Sequence, residues 1–154
     1  ERALAVGDRL GGHFVTGHVD GLVQCLSIEP IEDCYQLVFT GVQAQHMALL
    51  QDKGSVAING VSLTVNRCDQ QQFEVMIIPH TWQCTQLSTL QVNDKVNIEY
   101  DMMAKMVARQ FSVNQVKSEV VTLLLRALIR TTGLSAEFIR HIAFVLLFLF
   151  VFLR

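Results

Sequence analysis

From Gly11 to Asp101, apolar positions recur two apart in short runs rich in Val, Ile, Thr and Phe. Gly, Asp, Asn or Pro interrupts these runs at intervals of roughly eight to twelve residues. The alternation predicts strands near 13–19, 21–28, 34–40, 54–59, 61–66, 72–78 and 95–100. DKG (52–54), NG (59–60) and VND (92–94) supply turn chemistry between them. Six or seven short strands with no long helix among them predict an all-β fold. The expected architecture is a small six-stranded, Greek-key-like closed barrel, because closing the sheet removes its exposed edges. Two stretches between strands, AQHMALLQDK (44–53) and TWQCTQLSTL (81–90), are each suited to a short helix.

After Asp101 the period changes from two to that of a helix. MMAKMVARQF consists of good helix formers, and NQVKSEVVTLLLRALIR spaces Val116, Val120, Leu123, Leu124 and Ile129 helically, with Asn114 as a cap. A second cap at Ser135 opens AEFIRHIAFVLLFLFVFL, whose unbroken apolar run covers Ile142 to Leu153. A membrane span needs about twenty such residues, so this run is too short to cross a bilayer. Packing against a partner helix or the barrel is the favoured role, and a membrane-surface contact aided by nearby basic residues is the other. The expected organisation is therefore a barrel domain, 1–101, and a helical, apolar C-terminal tail, 102–154.

Charge follows the same division. Residues 1–110 carry seven Lys and Arg against twelve Asp and Glu, a net of −5, whereas residues 111–154 carry five against two, a net of +3. The total of −2 gives no reason to expect a nucleic-acid partner. Cys25, Cys34, Cys68 and Cys84 form no C-x-x-C pair and no metal-ligand spacing, which reads as reduced thiols in a cytoplasmic protein. A start at Glu1 without methionine, and without a basic-then-apolar leader, points to a piece of a longer chain that is not secreted.

Three stretches could carry chemistry. In GGHFVTGHVDG (11–21) two of the five histidines stand five apart, each after a glycine. On one strand that spacing would aim the two rings at opposite faces, which is poor for a metal site. A structural histidine or a proton-transfer group facing a ligand remain as alternatives. In GVSLTVN (60–66), alternation sends Val61, Leu63 and Val65 to one face and Ser62, Thr64 and Asn66 to the other. The second face is either an exposed strand surface or a site for a polyhydroxylated ligand, since hydroxyls both donate and accept. In IIPHTWQCTQL (77–87), Pro79 ends the ladder and the segment peels off with His80, Thr81, Gln83 and Thr85; Trp82 there could simply cap the barrel. Asp101 is either an acid–base partner or the cap of the helix that follows.

RLGGHFVTGHVDG, KGSVAINGVSLTVN, IIPHTWQCTQL and VNIEYD resemble, in order and spacing, the second barrel of riboflavin synthase of the α-chain type. The resemblance runs from Glu1 to Arg109, about seventy per cent of the chain. Serine at Ser62 resembles the second barrel, where the first tends to carry cysteine. The family takes two molecules of 6,7-dimethyl-8-ribityllumazine and transfers a four-carbon unit between them, giving riboflavin and 5-amino-6-ribitylaminouracil without metal or cofactor. That chemistry asks for proton shuttling at an acidic methyl group and for alignment of two rings. Carried over by motif, His18, Ser62 and Asp101 would be catalytic, with His13 structural. The substrate would be held by Gly17, His18, Val19, Lys53, Ser62, Leu63 and Thr64, and by the closing loop Ile78, Pro79, His80, Thr81, Trp82 and Gln83. The family's site lies between the first barrel of one subunit and the second of another in a homotrimer. The first barrel and its catalytic cysteine are absent here, and the tail is longer and more apolar than the family's helix. The alternative is a non-catalytic lumazine- or flavin-binding protein, or an inactive fragment lacking the first barrel. A further alternative is an assembly module dominated by its tail.

Overall fold

In the computed structural model, which describes residues 5–132, six antiparallel strands close into a barrel. They are β1 (Gly21–Ile31), β2 (Cys34–Thr40), β3 (Ser55–Ile58), β4 (Val61–Cys68), β5 (Gln72–Ile77) and β6 (Lys95–Tyr100). Around the barrel the order is β1-β2-β5-β4-β3-β6, with β1 returning to β6. One long strand makes closure possible. A register shift between Cys25 and Ser27 lets the first half of β1 pair with β6 and the second half with β2. Such a bulge adds the twist a closed sheet requires.

The expected alternation is met where it is most regular. In β4, Val61, Leu63 and Val65 are buried while Ser62 and Asn66 are partly exposed and Thr64 is exposed. A register shift between Val65 and Arg67 then bends the strand at Asn66. Phe39 of β2 pairs directly with Phe73 of β5, their rings stacked at 5.3 Å, in a core shared with Leu37, Val75, Ile77 and Ile98.

One expected strand is not formed, and the two stretches suited to short helices hold them. Residues 13–19 form no strand: β1 already pairs with β2 on one side and β6 on the other, so no ladder partner remains. Residues 44–53 hold a short 3-10 helix, Ala44–Leu49. Residues 81–90 divide into α1 (Pro79–Cys84), with Pro79 in its first turn, and a 3-10 turn, Gln86–Thr89.

The chain divides into two compact units between residues 108 and 109, inside the helix α2 (Met102–Thr132). That helix runs through Asn114, which therefore caps nothing. The cap expected at Ser135 and the apolar run 142–153 lie outside the described residues. Among the described residues no helix is long and apolar enough to cross a membrane.

Candidate functional site

The segment 12–17 crosses the outer face of β6, β3 and β4 as a strap. Glu99, Ala57 and Ser62 stand in register across those three strands. At one end of the row, Glu99 Oε1 accepts from Thr16 N at 2.8 Å and Thr16 Oγ1 at 2.7 Å, and Oε2 accepts from Gly17 N at 3.0 Å. At the other end, Ser62 Oγ lies 3.2 Å from His13 N and 2.7 Å from His13 Nδ1. Ala57, between them, is fully buried without belonging to the barrel core.

Glycine shapes the strap at two points. Gly17 sits at φ +80°, a conformation that side chains resist, and Val19 N returns to Gly17 O at 3.1 Å. This turn ends the extended run. Gly12 allows the close approach at the other end, because a Cβ there would meet the hydroxyl of Ser62 and fall 2.7 Å from its Cβ.

Glu99 is 6% exposed. Burial alone would raise its pKa, but the bonds from Thr16 and Gly17, helped by the Lys105 ammonium, outweigh that and leave the carboxyl below the usual range. Its charge is spent on holding the strap.

Beside the strap is a cavity of about 450 Å³, bordered by Gly17, Val19, Asn59, Gln86, Asn97 and Glu99. That volume lies within the range of small-molecule pockets. Asn59 ties its walls together: Asn59 N donates to Asn97 O at 2.9 Å, Asn59 Oδ1 accepts from Asn97 N at 2.9 Å, and Asn59 O accepts from Gln86 Nε2 at 3.0 Å. The wall offers amides, which suit a neutral ligand with both donors and acceptors.

The residues singled out in the sequence fall in different places. Gly17 and Val19 border the cavity, while His18 is exposed and makes no hydrogen bond to a described residue. Ser62 is paired with His13, the histidine expected to be structural, rather than with His18. Asp101 Oδ1 accepts from Met103 N at 2.9 Å and so caps α2, the plainer of its two expected roles. No hydrogen bond among the described residues joins His18, Ser62 and Asp101 to one another.

Leu63 turns its side chain into the core, leaving its backbone for any outer ligand, whereas Thr64 is exposed. Lys53 is exposed in the turn before β3, where its N–H donates to Val65 O at 2.7 Å. Ile78 is 55% exposed, and Pro79 opens α1. His80 Nδ1 lies 3.7 Å from Cys84 Sγ, Thr81 O accepts from Thr85 Oγ1, and Gln83 is exposed. Trp82 stacks on Tyr35 at 4.0 Å against the core, as a cap would.

Thr16, Asn59, Gln86, Asn97 and Glu99 were missed by sequence reasoning. Only the outward phase of Asn97 and Glu99 in VNIEYD hinted at them. All four cysteines are free, and burial, with Asp94 nearby, pushes the Cys25 thiol up, away from the reactive thiolate. Among the described residues no group of three or more His, Cys, Asp or Glu is placed to hold a metal.

The model of the lumazine binding domain family matches residues 16–101. Riboflavin synthase from Photobacterium leiognathi is 37% identical over 119 residues, covering 77% of this chain and 54% of that protein. Riboflavin synthase from Brucella abortus is 40% identical over 110 residues, covering 71% and 54% respectively. The chain thus spans about half the length of these curated relatives. A crystal structure of LumP complexed with riboflavin superposes with a TM-score of 0.56 at 22% identity, over 61% of this chain and 50% of that one. Likeness at that identity speaks to the fold.

Proposed function

This chain belongs to the lumazine-binding domain family, and from that premise we propose that it is the substrate-binding second barrel of a riboflavin synthase, taking 6,7-dimethyl-8-ribityllumazine. The observation that carries the reading is the extent of the family match: residues 16–101 hold the entire cavity wall as well as Ser62 and Thr64. The hydroxyls of β4 and the amides of Asn59, Gln86 and Asn97 suit a ligand that pairs a polyol chain with an imide-bearing ring. In this reading His18, exposed beside the cavity-lining Gly17 and Val19, is the group free to move a proton at the acidic methyl. His80, Thr81 and Gln83 close over the ligand, and Asp101 acts mainly by holding α2. The second lumazine lies on a first barrel from another subunit of a homotrimer, in the cytoplasm, and the tail meets a membrane surface or a partner helix.

The test is titration of the purified chain with 6,7-dimethyl-8-ribityllumazine, following ligand fluorescence and the appearance of riboflavin. Saturable binding with slow turnover is expected, rising at least tenfold when a first barrel is supplied. His18→Ala should then lower product formation with affinity kept within about threefold. No binding of the lumazine at millimolar concentration overturns the proposal. Binding without product, even with the first barrel present, transfers the chain to the non-catalytic carriers. The span of only about half of each curated relative keeps that second reading in play.

A further inference from the structure

The contact between His13 and Ser62 determines which way a hydrogen bond from Ser62 can point. A serine hydroxyl has one proton and two lone pairs. The backbone N–H of His13, 3.2 Å from Oγ, can only donate and so occupies one lone pair. The imidazole Nδ1, 2.7 Å from the same oxygen, can donate or accept. If Nδ1 accepts, the neutral ring carries its proton on Nε2. That nitrogen is buried and has no partner among the described residues, where no other buried side-chain nitrogen or oxygen lacks one. A buried N–H without an acceptor is the arrangement native structures tolerate least, whereas an under-used acceptor is commoner. The ring therefore carries its proton on Nδ1 and donates it to Ser62.

Both lone pairs of Ser62 are then occupied, and both by one residue. What remains to Ser62 is its own proton. We infer that His13 is a positioning residue that turns Ser62 into a one-way hydrogen-bond donor, so that this point of the site selects a ligand atom that accepts: a carbonyl or a deprotonated ring atom of the heterocycle. Polyol hydroxyls fall instead to two-way groups such as the exposed Thr64. Gly12 belongs to the same device, because a side chain there would push the strap off Ser62. The inference rests on the reading of the chain as a lumazine binder and says which end of the ligand Ser62 serves. Removing a proton from the ring methyl leaves negative charge on the heterocycle, and a fixed donor aimed at that charge stabilises it without reorganising.

Two measurements test it. Long-range proton–nitrogen spectra of the full chain with labelled histidine, recorded where the ring is uncharged, should show His13 protonated at Nδ1 and bare at Nε2. The opposite tautomer overturns the inference whatever the ligand does. In lumazine titrations, His13→Asn, which keeps a side-chain N–H near the position of Nδ1, should bind within about threefold of the parent. His13→Ala and Ser62→Ala should each lose about tenfold, and the double variant no more than either single one. Equal losses for His13→Asn and His13→Ala, or additive losses in the double variant, also overturn it. A parent chain that shows the Nδ1 tautomer but binds no lumazine would instead count against the proposed function alone.

Discussion

A single carboxylate holds one end of the strap against the barrel. Glu99 accepts three bonds from two consecutive residues, and bonds to a charged partner are worth about 1.5–3 kcal/mol each. Glu99→Gln keeps the shape but presents an amide N–H to donors, so unfolding in urea should show a loss of about 2 kcal/mol. The effect has a defined pH signature. The folded-state pKa lies below that of an ordinary glutamate, so the carboxylate's contribution is present above the ordinary value. It is lost as pH falls through the folded-state value, and the Gln variant should lack this acid dependence. An acid limb unchanged by the substitution would mean that the clamp contributes nothing. Little of this was legible beforehand. Alternation along VNIEYD puts Glu99 on the outer face, where an exposed glutamate is the ordinary expectation. Its burial depends on a segment more than eighty residues away in the chain, a pairing no local pattern encodes. Ser62 and Thr64 were legible because their phase in β4 is local.

The β3–β4 hairpin links fold and site at the scale of one element. Asn59 and Gly60 both take positive φ, the turn that joins two right-twisted strands with two residues, and NG is its strongest short signal. The same Asn59 ties β6 and Gln86 into the cavity wall. Asn59→Gly keeps the turn and loses only the side-chain bond, so it should cost about 1 kcal/mol. Asn59→Ala forces a methyl into the left-handed region as well and should cost about 2 kcal/mol by the same denaturation measurement. If both variants lose the same amount, backbone conformation is not what the asparagine provides. The strands that read true in the sequence are those whose alternation faces the core on one side, as in β4 and β5. Residues 13–19 carry a similar alternation but have no ladder to join, and Gly17 turns the chain away. A strand needs a partner as well as a pattern, and only the barrel's closure decides who has one.

For the whole molecule, the balance of buried and exposed apolar surface separates barrel from tail. Among the described residues, the buried apolar ones run from Val23 to Tyr100, all within the barrel and its connecting turns. Along α2, by contrast, Met103, Met106, Val107, Phe111, Val116, Val120, Val121, Leu123 and Leu124 are exposed. So many exposed apolar side chains on one element mark an association face or an aggregation liability. The charge division in the sequence, −5 against +3, already signalled that the two parts answer to different demands, although it could not say which apolar residues would be covered. A chain ended after residue 110 keeps every buried core residue among the described ones and sheds most of the exposed apolar residues of α2. Its thermal midpoint should therefore stay within about 4 °C of the full chain, the shift expected from roughly 1 kcal/mol in a domain of this size. Light scattering at increasing concentration should show the shortened chain monomeric where the full chain associates. A shortened chain that unfolds well below the parent, or aggregates more readily, would place the helix among the barrel's own supports, and its exposed apolar residues would then be a surface the fold needs rather than one reserved for a partner.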